Sequence, residues 1–355
     1  MFVNSKMKRT LFLSIFFFTS FTFAQINISD LSGKWIKYKI EMKDGSKLFD
    51  RFTKDSTFLE YTINRNTLCL NSNPIHKTNQ SCLDFKLRNN ELITSQYSKY
   101  VIERLSNDTL VMYQHIENLS DDKIKRFFFV KDEILLSKYQ QKNINKKNII
   151  ASKEFTPKTS STIELDLNKA FKNNYSNFRI AGNLTIFPKK RKIKTIINYS
   201  TKADSIRIKI IKTVIDNSID KWNLKNFEEY DSVQLPFILD SEITKRYWGI
   251  KVIFFTNDIH EFEIAYGDNL ENNRKSVDFF NKALKAYEKK DFLYAIQCFS
   301  ESYKLDPKNL DALYNKATVY FESGDQNNAC KTWKEISDLG QVNGKQLYSN
   351  NCNLN

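Results

Sequence analysis

Tyr294-Ala295-Ile296-Gln297-Cys298-Phe299 and Asn328-Ala329-Cys330-Lys331-Thr332-Trp333 are one pattern written twice. A shift of 34 carries Ala295 to Ala329 and Phe299 to Trp333, and the same shift carries Asn281 to Asn315, Ala283 to Ala317 and Asp291 to Asp325. A fixed period of this length marks stacked units of secondary structure, each unable to bury its apolar face alone. Alanines at matched positions let paired helices approach closely, and the aromatic fills the gap between pairs. Pro307, in Leu305-Asp306-Pro307, stops a helix because it lacks the N–H that would continue it. Ser323-Gly324-Asp325 marks the loop inside the second unit. Residues 275–355 are therefore expected to be all-α.

The pattern from Ser276 to Gly340 resembles the tetratricopeptide repeat, with Tyr287 one position later than that family's usual first-helix tyrosine. The resemblance implies a curved stack whose concave side, lined by the first helix of each pair, holds a peptide or a partner domain. It also implies ligand-facing positions: Asn281, Tyr287, Asn315 and Phe321. Two units are fewer than the roughly three a stable stack needs. Val342 to Cys352, with Leu347 and Tyr348 as apolar anchors, is expected to be a capping helix. Cys330 on the last repeat helix and Cys352 on the cap either meet as a disulfide or stay as two buried thiols.

At the other end, residues 1–24 read as an export signal. Lys6, Lys8 and Arg9 precede the apolar run from Leu11 to Phe18, and Thr22-Phe23-Ala24 closes it. The run is too short to span a bilayer comfortably, so cleavage after Ala24 is expected rather than anchoring. No cysteine follows the run to take a lipid. Five cysteines in 355 residues suit an oxidising compartment without amounting to a disulfide scaffold, and an odd number leaves a free thiol or an intermolecular partner. The expected location is the periplasm, with outer-membrane association or secretion as variants. A formal net charge of +14 is spread as lysines among asparagines and glutamates. It is read as solubility with peripheral attraction to anionic membrane surfaces, and nucleic acid is not expected as a partner.

Residues 28–136 alternate like a β meander. Trp35 to Met42 leads to Lys43-Asp44-Gly45, Asp84 to Leu87 turns at Asn89-Asn90 into Leu92 to Thr94, and Tyr100 to Leu105 turns at Asn107-Asp108 into Leu110 to Tyr113. An antiparallel barrel or curled sheet is predicted. Leu31-Ser32-Gly33-Lys34-Trp35 resembles the opening of lipocalin-like domains of exported bacterial proteins, whose tryptophan closes the barrel floor. That resemblance implies a small apolar ligand, although short barrels fill their interior with side chains, and a packed interior is expected here.

Residues 137–161, polar and lysine-rich, read as a solvated connector. Residues 162–257 read as an α+β unit: strands at Leu184 to Phe187 and Ile193 to Tyr199 flank the turn Pro188-Lys189-Lys190-Arg191. A helix then carries Ile208, Ile211, Ile215, Ile219 and Trp222 on one stripe, and strands follow at Val233 to Leu239 and Ile250 to Phe255. Gly182, the two strands, Ile215, Ile219, Trp222 and Leu235-Pro236-Phe237 resemble the C-terminal domain of TonB, which pairs an edge strand with a receptor peptide. The usual Asp-Gly turn is replaced and the proline-rich spanning segment is missing, so the resemblance implies a small binding fold more than energy transduction. Residues 258–274 read as a second connector.

The chain shows no sign of chemistry. Its three histidines, His76, His115 and His260, stand far apart with no metal-ligand spacing, and eight glycines form no phosphate-cradling run. No serine stands in a nucleophile elbow, and Glu228-Glu229 and Asp121-Asp122 lack an apolar setting that would tune an acid. No catalytic residue, metal or cofactor is expected. The sequence as a whole predicts a multidomain, exported, non-enzymatic adaptor that binds protein or peptide partners in the cell envelope through its C-terminal repeats. A carrier of a small apolar ligand in the β domain, and a soluble accessory of TonB-type transport across the outer membrane, are the alternatives.

Overall fold

Trp35 anchors the first unit. Its indole N–H donates to Leu31 O at 2.8 Å, and Lys131 Nζ lies 5.4 Å above its ring. The computed structural model describes residues 26–49, 57–76, 81–171, 176–243, 248–260 and 270–352, so the expected signal in residues 1–24 lies outside the described residues.

A short helix, Ile28–Leu31 (α1), leads into the strands Gly33–Met42 (β1), Glu60–Asn64 (β2), Thr67–Asn71 (β3), Ser81–Asp84 (β4) and Lys86–Arg88 (β5). Glu91–Ile93 (β6), Ser98–Leu105 (β7), Thr109–Ile116 (β8) and Lys125–Lys131 (β9) complete the sheet. Their spatial order is β4-β3-β2-β1-β9-β8-β7-β6-β5, antiparallel throughout. The two end strands are neighbours in sequence, separated by Phe85 alone. The run from Ser81 to Arg88 thus pairs with β3 through its first half and with β6 through its second, which nearly closes the sheet into a barrel. Phe85 is buried at this corner, and its N–H donates to Asn66 O at 2.8 Å.

Period-two alternation puts large side chains inside. The Tyr61 ring lies 4.7 Å from Phe129 and 6.0 Å from Tyr100, with Leu68, Leu92, Leu110 and Met112 fully buried around them. Burial holds the Tyr61 phenol well above its ordinary pKa. Cys69 on β3 and Cys82 on β4, opposite one another in register, are joined as a disulfide.

Residues 137–161 are structured rather than a solvated connector. They carry most of a helix, Asp132–Asn143 (α2), and the strands Asn148–Ile150 (β10) and Lys158–Thr159 (β11). The reason lies in a few apolar residues among the lysines: Ile149 and Phe155 are buried, and Phe155 packs 4.6 Å from Phe227 and 5.9 Å from Tyr139.

The middle unit continues with a helix, Ile163–Phe171 (α3), the hairpin strands Phe178–Phe187 (β12) and Lys192–Thr201 (β13), a helix Ser205–Asp216 (α4), and the strands Trp222–Asn223 (β14), Ser232–Ile243 (β15) and Trp248–Phe254 (β16). Its main sheet runs β10-β15-β12-β13 with β16 also on β15, and β11 pairs with β14 apart from it. A Cβ on Gly182 would sit 2.2 Å from Ile196 O, so the β12–β13 bulge at Ala181/Gly182 requires glycine. The predicted helix is shorter than its apolar stripe. It ends at Asp216, whose carboxylate accepts the Thr195 N–H at 2.8 Å. A 3-10 turn at Ile219–Lys221 then keeps the apolar face in phase, and Trp222 is buried on a strand with its N–H on Ser218 Oγ at 3.0 Å.

The barrel's outer face meets this unit directly. Glu60 points away from the barrel interior yet is fully buried, with Lys158 Nζ 3.5 Å away, and Ile75 belongs to the core of the middle unit.

Five helices finish the chain: Leu270–Glu288 (α5), Phe292–Leu305 (α6), Leu310–Glu322 (α7), Gln326–Asp338 (α8) and Val342–Cys352 (α9). The first starts inside the stretch 258–274 expected as a connector. Each packs on the next. Asp291, Asn309 and Asp325 cap α6, α7 and α8, each accepting an N–H three residues on at 3.2–3.3 Å. The matched residues Ala283, Ala295 and Phe299, then Ala317, Ala329 and Trp333, are all buried. Ser276 and Ser302 lock α5 to α6, each hydroxyl donating to the other's carbonyl at 2.8 and 2.9 Å. Cys330 and Cys352 form a disulfide that ties α9 to α8, while Cys298 is buried as a free thiol.

Candidate partner-binding surface on the helical repeats

The four side chains expected to meet a ligand lie on α5 and α7, the first helices of the two pairs. Asn281 is exposed. Asn315, its counterpart one period on, is half-buried and donates from Nδ2 to Asp311 O at 2.7 Å, one turn back on its own helix. Among the described residues neither side-chain oxygen accepts a hydrogen bond, which leaves both for a partner.

Tyr287 and Phe321 are more constrained. The Tyr287 hydroxyl donates to Glu322 Oε2 at 2.7 Å, joining α5 to α7, and this hydrogen bond is the main reason the phenol is held above its ordinary pKa. Its ring lies 6.2 Å from Phe292. Phe321 is 44% exposed, yet its ring centroid is 5.3 Å from Trp333. The residue that the resemblance makes ligand-facing thus also bears on the central aromatic of the helix packing. The rotation of an α-helix explains this: Phe321 is four residues past Ala317, which faces α8.

Sequence reasoning missed the barrel's part in this surface. The turn after β1 reaches the α8–α9 loop: Lys47 N–H donates to Gly340 O at 3.0 Å, and Gln341 Nε2 donates to Lys47 O at 2.9 Å. Ser46, 2% exposed, accepts the Val342 N–H at 3.0 Å and donates to Asp44 Oδ2 at 2.8 Å. Tyr314 on α7 has its phenol raised chiefly by burial, with the charges of Asp44 and Asp122 of the barrel adding to it. The α7–α9 end is thus covered from within the chain, whereas among the described residues Asn281 on α5 is exposed. No signal could have revealed this, because the contacts join residues 294 and 296 apart.

Among the described residues no group of three or more His, Cys, Asp or Glu is placed to hold a metal ion, and no helix is long and apolar enough to cross a membrane. His76 sits at the barrel boundary with Nδ1 3.3 Å from Thr159 O. Asp121 is spent in an ion pair with Lys43 at 2.9 Å. No protein-family model matches the chain.

Proposed function

We propose that this chain is an exported, non-enzymatic adaptor that holds a protein or peptide partner in the cell envelope on the first helices of a short tetratricopeptide array. The observation that carries the reading is the α5–α7 face. Two asparagines repeat there one period apart with hydrogen-bonding capacity left over, beside the partly exposed aromatics Tyr287 and Phe321. Amides at equal spacing suit the backbone of an extended peptide, and the aromatics suit its apolar side chains. Two disulfides support an oxidising location such as the periplasm, since cytosolic thiols are kept reduced. A barrel filled by Tyr61, Phe127, Phe129 and Tyr100 supports a lipocalin-like support domain over a carrier of apolar ligands.

The test compares capture by the wild-type chain and by Asn281→Ala/Asn315→Ala from envelope extract, with mass spectrometry of what is retained. The double variant is expected to keep its melting temperature and lose its specific partners. If the partner set survives unchanged, the repeats are not the binding element.

A second reading has one observation behind it. Among the described strands β13 pairs only with β12, so apart from Thr195, whose N–H the Asp216 carboxylate accepts, its other edge is left for strand addition. A partner retained by the asparagine variant and lost on introducing proline into β13 would favour the TonB-like domain as the binding element.

A further inference from the structure

The β12–β13 turn places an arginine where the backbone favours glycine. Pro188-Lys189-Lys190 makes a 3-10 turn, and Arg191 follows in the left-handed region with φ 45° and ψ 52°. A non-glycine residue carries a backbone cost there. The side chain retained at that cost stands on the rim of an open cleft of about 570 Å3. Pro188, Trp222 and Leu224, all buried, give the cleft an apolar wall. Lys189, Arg191 and Lys225 line it beside one acidic residue, Glu228.

Those cations are weakly engaged within the chain. Arg191 meets Asp220 at 3.0 Å with the two side chains 64% and 86% exposed, and Lys189 meets Asp231 at 2.8 Å with 51% and 48% exposed. Exposed pairs of this kind contribute little and exchange readily for another anion. Lys225 makes no ion pair among the described residues, and Asn223 Oδ1 fixes its backbone by accepting its N–H at 3.0 Å. The Asp231 carboxyl is held below the usual carboxylate range, chiefly by the hydrogen bond from Lys189, with the charges of Lys147 and Lys190 adding to it.

We propose that this cleft binds a phosphate ester, its phosphoryl oxygens held by Lys189, Arg191 and Lys225 and its adjoining organic part lying on Pro188, Trp222 and Leu224. A phosphoryl group offers three strong acceptor oxygens to the three donors, where a carboxylate offers two, and the planar guanidinium matches a pair of them. The same chemistry is presented by a soluble phosphate monoester and by the headgroup of an anionic lipid.

The experiment uses the whole exported chain with glycerol phosphate in isothermal titration, and with phosphatidylcholine vesicles that contain or lack phosphatidic acid in co-sedimentation. Arg191→Gly relieves the left-handed strain, so it is expected to melt no lower than wild type while weakening binding about tenfold or more. Lys331→Gln removes the same charge from α8, far along the chain, and is expected to leave binding unchanged. Binding of glycerol phosphate assigns the site to soluble esters, and binding of phosphatidic acid vesicles alone assigns it to lipid headgroups. If neither probe binds, or if Lys331→Gln weakens binding as much as Arg191→Gly, the cleft is not a site and only diffuse surface charge acts.

Discussion

Lys290 and Gly324 stand one period apart, and both turn the chain with positive φ, 59° and 84° respectively. The same loop is therefore built once with the residue that fits and once with a residue that is strained there. Lys290→Gly is expected to stabilise the chain by about 0.5–1 kcal/mol, the left-handed penalty less the extra entropy glycine loses on folding. Urea unfolding followed by helical circular dichroism measures it; a destabilised variant would mean that the Lys290 side chain makes a contact worth more than the strain. The period itself was legible, since Ala283, Ala295, Ala317, Ala329 and Trp333 are buried where the 34-residue shift requires. The environments of Tyr287 and Phe321 were not, because a hydrogen bond to Glu322 and a ring contact with Trp333 depend on how neighbouring helices are rotated. For the candidate surface, sequence reasoning thus supplied positions and left their freedom open.

Element by element, strands with strict alternation and a recognisable turn were legible, as β7 and β8 around Asn107-Asp108 show. The elements that escaped are short ones recruited by a partner. β10 and β11 hold three and two residues and exist because β15 and β14 offer open edges, so their sequence carries almost no pattern of its own. α9, by contrast, was legible as a capping helix over Val342–Cys352, and its buried contacts include the close approach of Gly344 to Ile336, where a Cβ would meet Ile336 Cγ2 at 2.4 Å. The Cys330–Cys352 bridge closes a loop with sequence separation 22, which contributes roughly 3 kcal/mol by restricting the unfolded chain. Replacing both cysteines by serine is expected to lower stability by about that amount and to speed amide exchange along α9 while the barrel amides, clipped by Cys69–Cys82, keep their protection. Unchanged exchange in α9 would show that packing against Ile336 alone holds the helix.

At the scale of the whole molecule, three modules that read as beads on connectors are joined by specific contacts. The barrel buries Glu60 against Lys158 of the middle unit, and its β1 turn serves the far end of the helical region. Ser46 there does what an N-cap does, satisfying the first free N–H of α9, but it comes from 296 residues away. Asp44 behind it places negative charge near the positive end of the helix, which adds to the effect. An array of two pairs that needs a cover thus gets one from α9, and α9 in turn is capped by the barrel. Ser46→Ala is expected to cost about 1 kcal/mol, the usual value of a lost cap. The informative readout is where that loss appears. Hydrogen exchange should quicken in the first turn of α9 and at Gln341, with the strands on either side of Ser46 unaffected, because the hydroxyl's partner lies in the helix and the barrel keeps its own ladder. If protection falls instead across β1 and β9, Ser46 serves the barrel turn through Asp44, and the two ends of the chain are held together only by the backbone exchange between Lys47 and Gly340 and the Gln341 side chain.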